Sequence, residues 1–345
     1  MNEEMFEDDL DTGIPEPEHV SEILDGMSDS LNQVAGTESL TSAQVYLGSV
    51  LVANGYVRRN QVGQEGFMGK VGDGFKAAIA YIKKMFTSIW DFFLKRDAPK
   101  LLTEAKEEVK EAAEVLKVIE TGGSTEQETT KALTNLRKVA LALTHEPDVN
   151  KSALDQILKE ADEAMKASQP EKKKAVLMIG RELPKLNKRS QNTFKKKLGD
   201  VTKHLELMSR AYGTILEASQ SHPGDELHQA LASDAKRFRA EVDTLASRFR
   251  NAKDSGSVAD MKDCYTLVNQ NLDMTEDSYK DLVALKGHLD KALKQIESGD
   301  DAEAKKGIPP LKHGLTCIGA LARVSKELIA ACKSLLKAGN KAFGY

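Results

Sequence analysis

From residue 100 to the C-terminus the chain repeats one kind of segment: a long run rich in Ala, Glu, Lys and Leu, closed by short Gly, Pro or Ser punctuation. These residue types lose little free energy on entering a helix. No stretch alternates apolar and polar residues between hairpin turns, so a sheet has nowhere to form. The spacing predicts helices over Leu101 to Glu120, Thr125 to Thr144, Lys151 to Ser168, Pro184 to Ser221, Gly224 to Lys253, Val258 to Ser298 and Pro309 to Ala342. Breaks are expected at Gly122-Gly123-Ser124, Glu146-Pro147-Asp148, His222-Pro223-Gly224, Ser255-Gly256-Ser257 and Gly307-Ile308-Pro309-Pro310. Long helices joined by short turns predict an all-α fold, an elongated antiparallel multi-helix bundle.

Composition agrees with that class. Aromatic residues are 5% of the 345 residues, 18 in number, and seven of them fall between Phe67 and Phe93. Elsewhere the core must be built from Leu, Ile, Val and Ala. The net charge of -4 hides an asymmetry: residues 1 to 57 carry twelve acidic groups and no Lys or Arg, which leaves the remainder at +8. Residues 1–65 therefore read as an acidic, largely disordered lead, interrupted by Pro15 and Pro17, with a hint of helix only from Val20 to Leu31. Within it, Thr41 can cap a short helix that stops at Asn54-Gly55. The start of the chain has neither a basic n-region nor an early apolar run, and is not expected to be a secretory signal.

Residues 66–98 form the second segment: a hinge with Gly63, Gly66, Gly69 and Gly72 at every third position, then an amphipathic helix. Phe75, Ile79, Ile82, Phe86, Ile89 and Phe93 recur at alternating spacings of four and three, and Trp90 widens their face. Lys76, Lys83, Lys84 and Lys95 fall opposite. A face this apolar must be covered. Three covers are open: the helical bundle of residues 99–345, a partner protein, or a lipid surface on which the helix lies flat.

Little in the sequence points to catalysis. A phosphate-binding loop fails at both ends, because Gly69-Lys70 is followed by Val71 and the required first glycine is Gln64. The seven histidines include no pair four apart on a helix, so no metal site is expected. Cys264, Cys317 and Cys332 have no metal or redox spacing and sit in apolar stripes, the pattern of small core residues. No enzyme, cofactor or small-molecule substrate is expected. A different feature stands out between residues 171 and 203, where eleven basic groups face three acidic ones. On one helix after Pro184, Lys185, Lys188, Arg189, Lys195, Lys196 and Lys203 would share one face, with Phe194, Leu198, Val201, Leu205, Met208 and Tyr212 opposite. Such a stripe can follow a phosphate backbone without reading its sequence; a solvated face is the alternative.

The acidic lead, the Gln64-Glu65-Gly66 junction, the Gly-rich basic aromatic helix and the Lys/Glu-rich helical remainder together resemble, in layout, the internal head proteins of large tailed bacteriophages. The resemblance implies an acidic propeptide removed by a prohead protease that cuts after Glu, which singles out Glu65 and Gly66 as the processing site. Position 63 is Gly where that family's usual pattern has an apolar residue, and Leu102-Thr103-Glu104-Ala105 fits the pattern better. The resemblance also implies a non-enzymatic virion protein, made in the host cytoplasm and packaged inside the capsid. DNA, capsid proteins or membrane lipid would be its partners, and it would be ejected with the DNA. Two alternatives stand beside it: a peripheral membrane-active protein working through the aromatic helix, and a cytosolic helical scaffold that binds a protein through Leu101 to Tyr345.

Overall fold

In the computed structural model the described residues are 17–32, 40–62, 73–94, 97–220, 226–252, 257–298 and 300–345. Among them the chain is a multi-helix bundle of twelve helices without a strand, as the sequence predicts. They are α1 (Pro17–Asn32), α2 (Ser42–Ala53), α3 (Asp73–Leu94), α4 (Asp97–Thr121), α5 (Glu126–Leu143) and α6 (Lys151–Met165). These are followed by α7 (Gln169–Leu186), α8 (Lys188–Gln220), α9 (Glu226–Arg250), α10 (Val258–Ala284), α11 (Lys286–Ser298) and α12 (Asp301–Lys341). The chain divides into two compact units that do not follow chain order. The first comprises residues 1–99, 208–240 and 276–326; the second comprises 100–207, 241–275 and 327–345.

The first unit departs most from expectation. Far from being a largely disordered lead, residues 17–32 form a helix that buries Val20, Ile23, Leu24, Met27 and Leu31. Those positions make one apolar stripe, and acidic residues occupy the rest of the surface. Helix α2 packs on α1, and both reach α3. Its start is fixed by a capping box: Gln44 N–H donates to Thr41 Oγ1 at 3.2 Å while Thr41 N–H donates to Gln44 Oε1 at 2.9 Å. Its exit is the expected Asn54-Gly55, with Gly55 at φ 73°, where a side chain would be strained. His19 ties the three helices together, with Nδ1 2.7 Å from the Tyr46 hydroxyl and Nε2 2.8 Å from that of Tyr81. An ion pair at 2.6 Å joins Asp25 of α1 to Lys312 of α12.

Within the same unit, α12 runs straight through Gly307-Ile308-Pro309-Pro310, where the sequence predicts a break. The glycine there allows a close approach: a Cβ at position 307 would stand 2.8 Å from the Ala292 carbonyl oxygen and 2.9 Å from Ile296 Cγ1 on α11. The two prolines remove the amide donors to Lys305 and Lys306, which are exposed, so solvent can take over those carbonyls. Leu285 separates α10 from α11 in what reads as one helix from Val258 to Ser298.

The second unit packs α5, α6 and α7 against one another. Lys333 of α12 pairs with Glu104 at 3.3 Å and Glu108 at 3.1 Å on α4. Asp97-Ala98-Pro99 opens α4, whose first turn tolerates proline because the missing amide would have had no helical acceptor.

Candidate nucleic-acid interface

The basic stripe lies in the second unit, but not on one helix. Sequence Leu183-Pro184-Lys185-Leu186 ends α7, and the break falls at Asn187 rather than before Pro184. Asn187 sets it: its backbone leaves the helical region at φ -88° and ψ 69°, and its Oδ1 accepts the Ser190 N–H at 3.0 Å to start α8. Gln191 stitches the junction by donating from Nε2 to the Pro184 carbonyl at 2.9 Å. Lys185 therefore belongs to α7, and Lys188, Arg189, Lys195, Lys196 and Lys203 to α8. All six are exposed. Phe194, Leu198, Val201, Leu205, Met208 and Tyr212 are buried, as the helical spacing predicts.

The six cations are not equivalent. Lys185 pairs with Glu182 one turn back at 2.8 Å, and Arg189 meets Glu146 at 3.5 Å. Lys188, Lys196 and Lys203 have no carboxylate within ion-pair distance among the described residues. Beside the junction lies a cleft of about 460 Å³ floored by Leu143, Val149 and Leu186. Lys188, Arg189, Asn192 and Lys196 line one side, and Glu146 and Asp148 the other. The carboxylates come from the turn between α5 and α6, held open by Asn150, whose Oδ1 caps α6 by accepting the Ala153 N–H at 3.2 Å. Sequence reasoning missed the cleft, because nothing in the order of residues brings Glu146 to a helix that starts 42 positions later. The arrangement is suited to holding an anion by charge and hydrogen-bond donation.

The aromatic face of α3 is accounted for inside the first unit. Phe75, Ile79, Ile82, Phe86, Ile89, Trp90 and Phe93 are all buried, Trp90 to 3% exposure. Tyr279 of α10 sits edge-on to Phe93 with ring centroids 5.0 Å apart, and Lys286 of α11 lies over the Phe86 ring at 5.8 Å. Lys83 on the outer side pairs with Glu297 at 2.7 Å. Of the three covers, the chain's own helices are the one in place, and lipid could reach this face only after α3 left them. Among the described residues the Trp90 indole N–H has no acceptor. No described helix is long and apolar enough to cross a membrane. The processing candidates Glu65 and Gly66 lie outside the described residues.

Cys264, Cys317 and Cys332 are buried and form no disulfide among the described residues. Burial pushes the thiols of Cys317 and Cys332 up to about 12, so neither is a thiolate near neutral pH. The His228 and His313 rings stack face to face with centroids 4.5 Å apart, a pairing that sequence spacing does not suggest. Among the described residues no group of three or more His, Cys, Asp or Glu side chains is placed to hold a metal. No protein-family model matches this chain, and no curated protein or solved structure shows a significant similarity to it.

Proposed function

We propose that this chain is a non-enzymatic structural protein that associates with DNA through charge alone, acting as an internal virion protein of a tailed phage that is packaged with the genome and ejected with it. The observation that carries the DNA part is the run of six exposed cations across the α7–α8 junction, backed by a continuous buried face. Exposed cations on two joined helices, with no aromatic side chain among them to stack on a base, are suited to phosphates of any sequence. The phage placement rests on the layout resemblance: acidic head, Glu65-Gly66 junction, aromatic basic helix and helical remainder. The burial of α3 weakens the membrane-active alternative, since its working face is occupied.

The test is a salt titration of duplex DNA binding by the full chain. Binding should be indifferent to sequence and fall steeply as salt rises. Neutralising Lys185, Lys188, Arg189, Lys195 and Lys196 together should lower the log–log salt slope by up to about 0.9 for each cation that had neutralised a phosphate. A variant that binds as well as the parent would show the stripe to be a solvated face. For the virion placement, the intact mass of the protein from virions should match a chain starting near Gly66; an uncut chain removes the processing step.

A further inference from the structure

We infer that the cleft at the α7–α8 junction seats one backbone phosphodiester, and that Glu146 competes with that phosphate for Arg189. The inference deepens the DNA reading and rests on it. Positions 188, 192 and 196 are one turn apart on α8, so two ammonium groups and the Asn192 amide face the same opening. Arg189 sits beside them, and its planar fork suits two phosphate oxygens better than any lysine does. Thr193 is already committed, its hydroxyl donating to the Arg189 carbonyl at 2.9 Å, and so serves the helix more than a ligand.

In the free protein Arg189 is engaged by a single ion pair at 3.5 Å, between side chains 80% and 37% exposed. A pair this long and wet is weak, so an entering phosphate can take the guanidinium. The carboxylate left behind is then a like charge next to the ligand. Asp148 adds a second negative group to the rim. The cleft thus holds three cations against two carboxylates, a balance that favours an anion while limiting how tightly it is held. A phosphodiester, with one charge, suits that balance better than a dianion.

The experiment uses the full chain and random-sequence duplex DNA at low salt. Glu146→Gln keeps shape and hydrogen bonding while removing the competitor, and should tighten binding about two- to fivefold. Glu163→Gln is the control: it makes the same change in net charge, and its carboxylate pairs with Lys159 on α6, roughly 20 Å along the helix axis from the cleft end. It should leave affinity nearly unchanged. In an Arg189→Gln background the gain from Glu146→Gln should shrink to the part that comes from relieving like-charge repulsion, and the difference between the two gains is the coupling between the two side chains. Equal effects of the Glu146 and Glu163 variants, or a gain undiminished by removal of Arg189, would overturn the competition. If those results come with a normal salt slope, the DNA reading stands without this site; if the parent does not bind DNA at all, both fall.

Discussion

One imidazole holds three helices together at the start of the chain. His19 is half-buried between Tyr46 and Tyr81, and burial pushes its pKa below the usual 6.5, with Glu22 pulling weakly the other way. The charged ring is thus less welcome in the fold than in the unfolded chain. A folded-state value below the unfolded one means the contribution to stability is complete above 6.5 and is lost as pH falls through the lower, folded value. The melting temperature of the full chain should therefore fall more between about pH 7 and about pH 5 than that of His19→Gln, which cannot take a charge there. Parallel curves for the two proteins would show that His19 does not contribute to acid sensitivity. The tyrosines should be held by the same bonds: in the same melts at neutral pH, His19→Ala, which leaves both hydroxyls without their partner, should cost about 1–3 kcal/mol.

Helices are legible where one physical signal decides them. The spacing from Phe75 to Phe93 predicts the buried face of α3, and Thr41 and Asn54-Gly55 predict both ends of α2. Reading fails where two signals compete. In α1 the acidic composition masks a sound apolar stripe at 20, 23, 24, 27 and 31. At residues 307–310 the punctuation Gly-Ile-Pro-Pro signals a stop, yet the glycine is there for close helix approach, and the carbonyls that lose their donors belong to the exposed Lys305 and Lys306. At 184–187 proline is again the louder signal, but the Asn187 side chain sets the break. The basic stripe is visible in the sequence; its cleft is not, because Glu146 arrives by tertiary packing. Gly307→Ala tests the close-approach explanation directly. The added methyl has no room against the α11 backbone, so the variant should be destabilised by about 1–3 kcal/mol in denaturant melts. A helix-stop role would predict no loss, or a gain from alanine's better helix propensity.

At the scale of the whole molecule, the folded N-terminal hairpin changes what a cut after Glu65 would do. Val20, Ile23, Leu24, Met27, Leu31, Leu47 and Leu51 are buried, and the Asp25–Lys312 pair adds a polar tie to α12. Several such side chains at about 1.5–3 kcal/mol each should hold the segment in place without a covalent link. With a specific protease site inserted between Glu65 and Gly66, the two fragments are expected to co-elute in size-exclusion chromatography at neutral pH and to separate in denaturant. Immediate loss of the small fragment would mean that the hairpin is only loosely held. The acidic segment would then act as the detachable mask that its charge suggests; retained, it stays as part of the fold.

The tie between Lys83 and Glu297 spans 214 positions, while that between His19 and Tyr81 spans 62. On a ribosome adding roughly 5–20 residues per second, α3 emerges about 10–40 s before its last helical neighbours exist. For that interval its phenylalanines and tryptophan would be a hazard in a crowded cell. Helices α1 and α2 are already made by then, and they pack on α3. The order of synthesis thus gives α3 an early cover on one side, before the helices that carry Tyr279 and Lys286 exist.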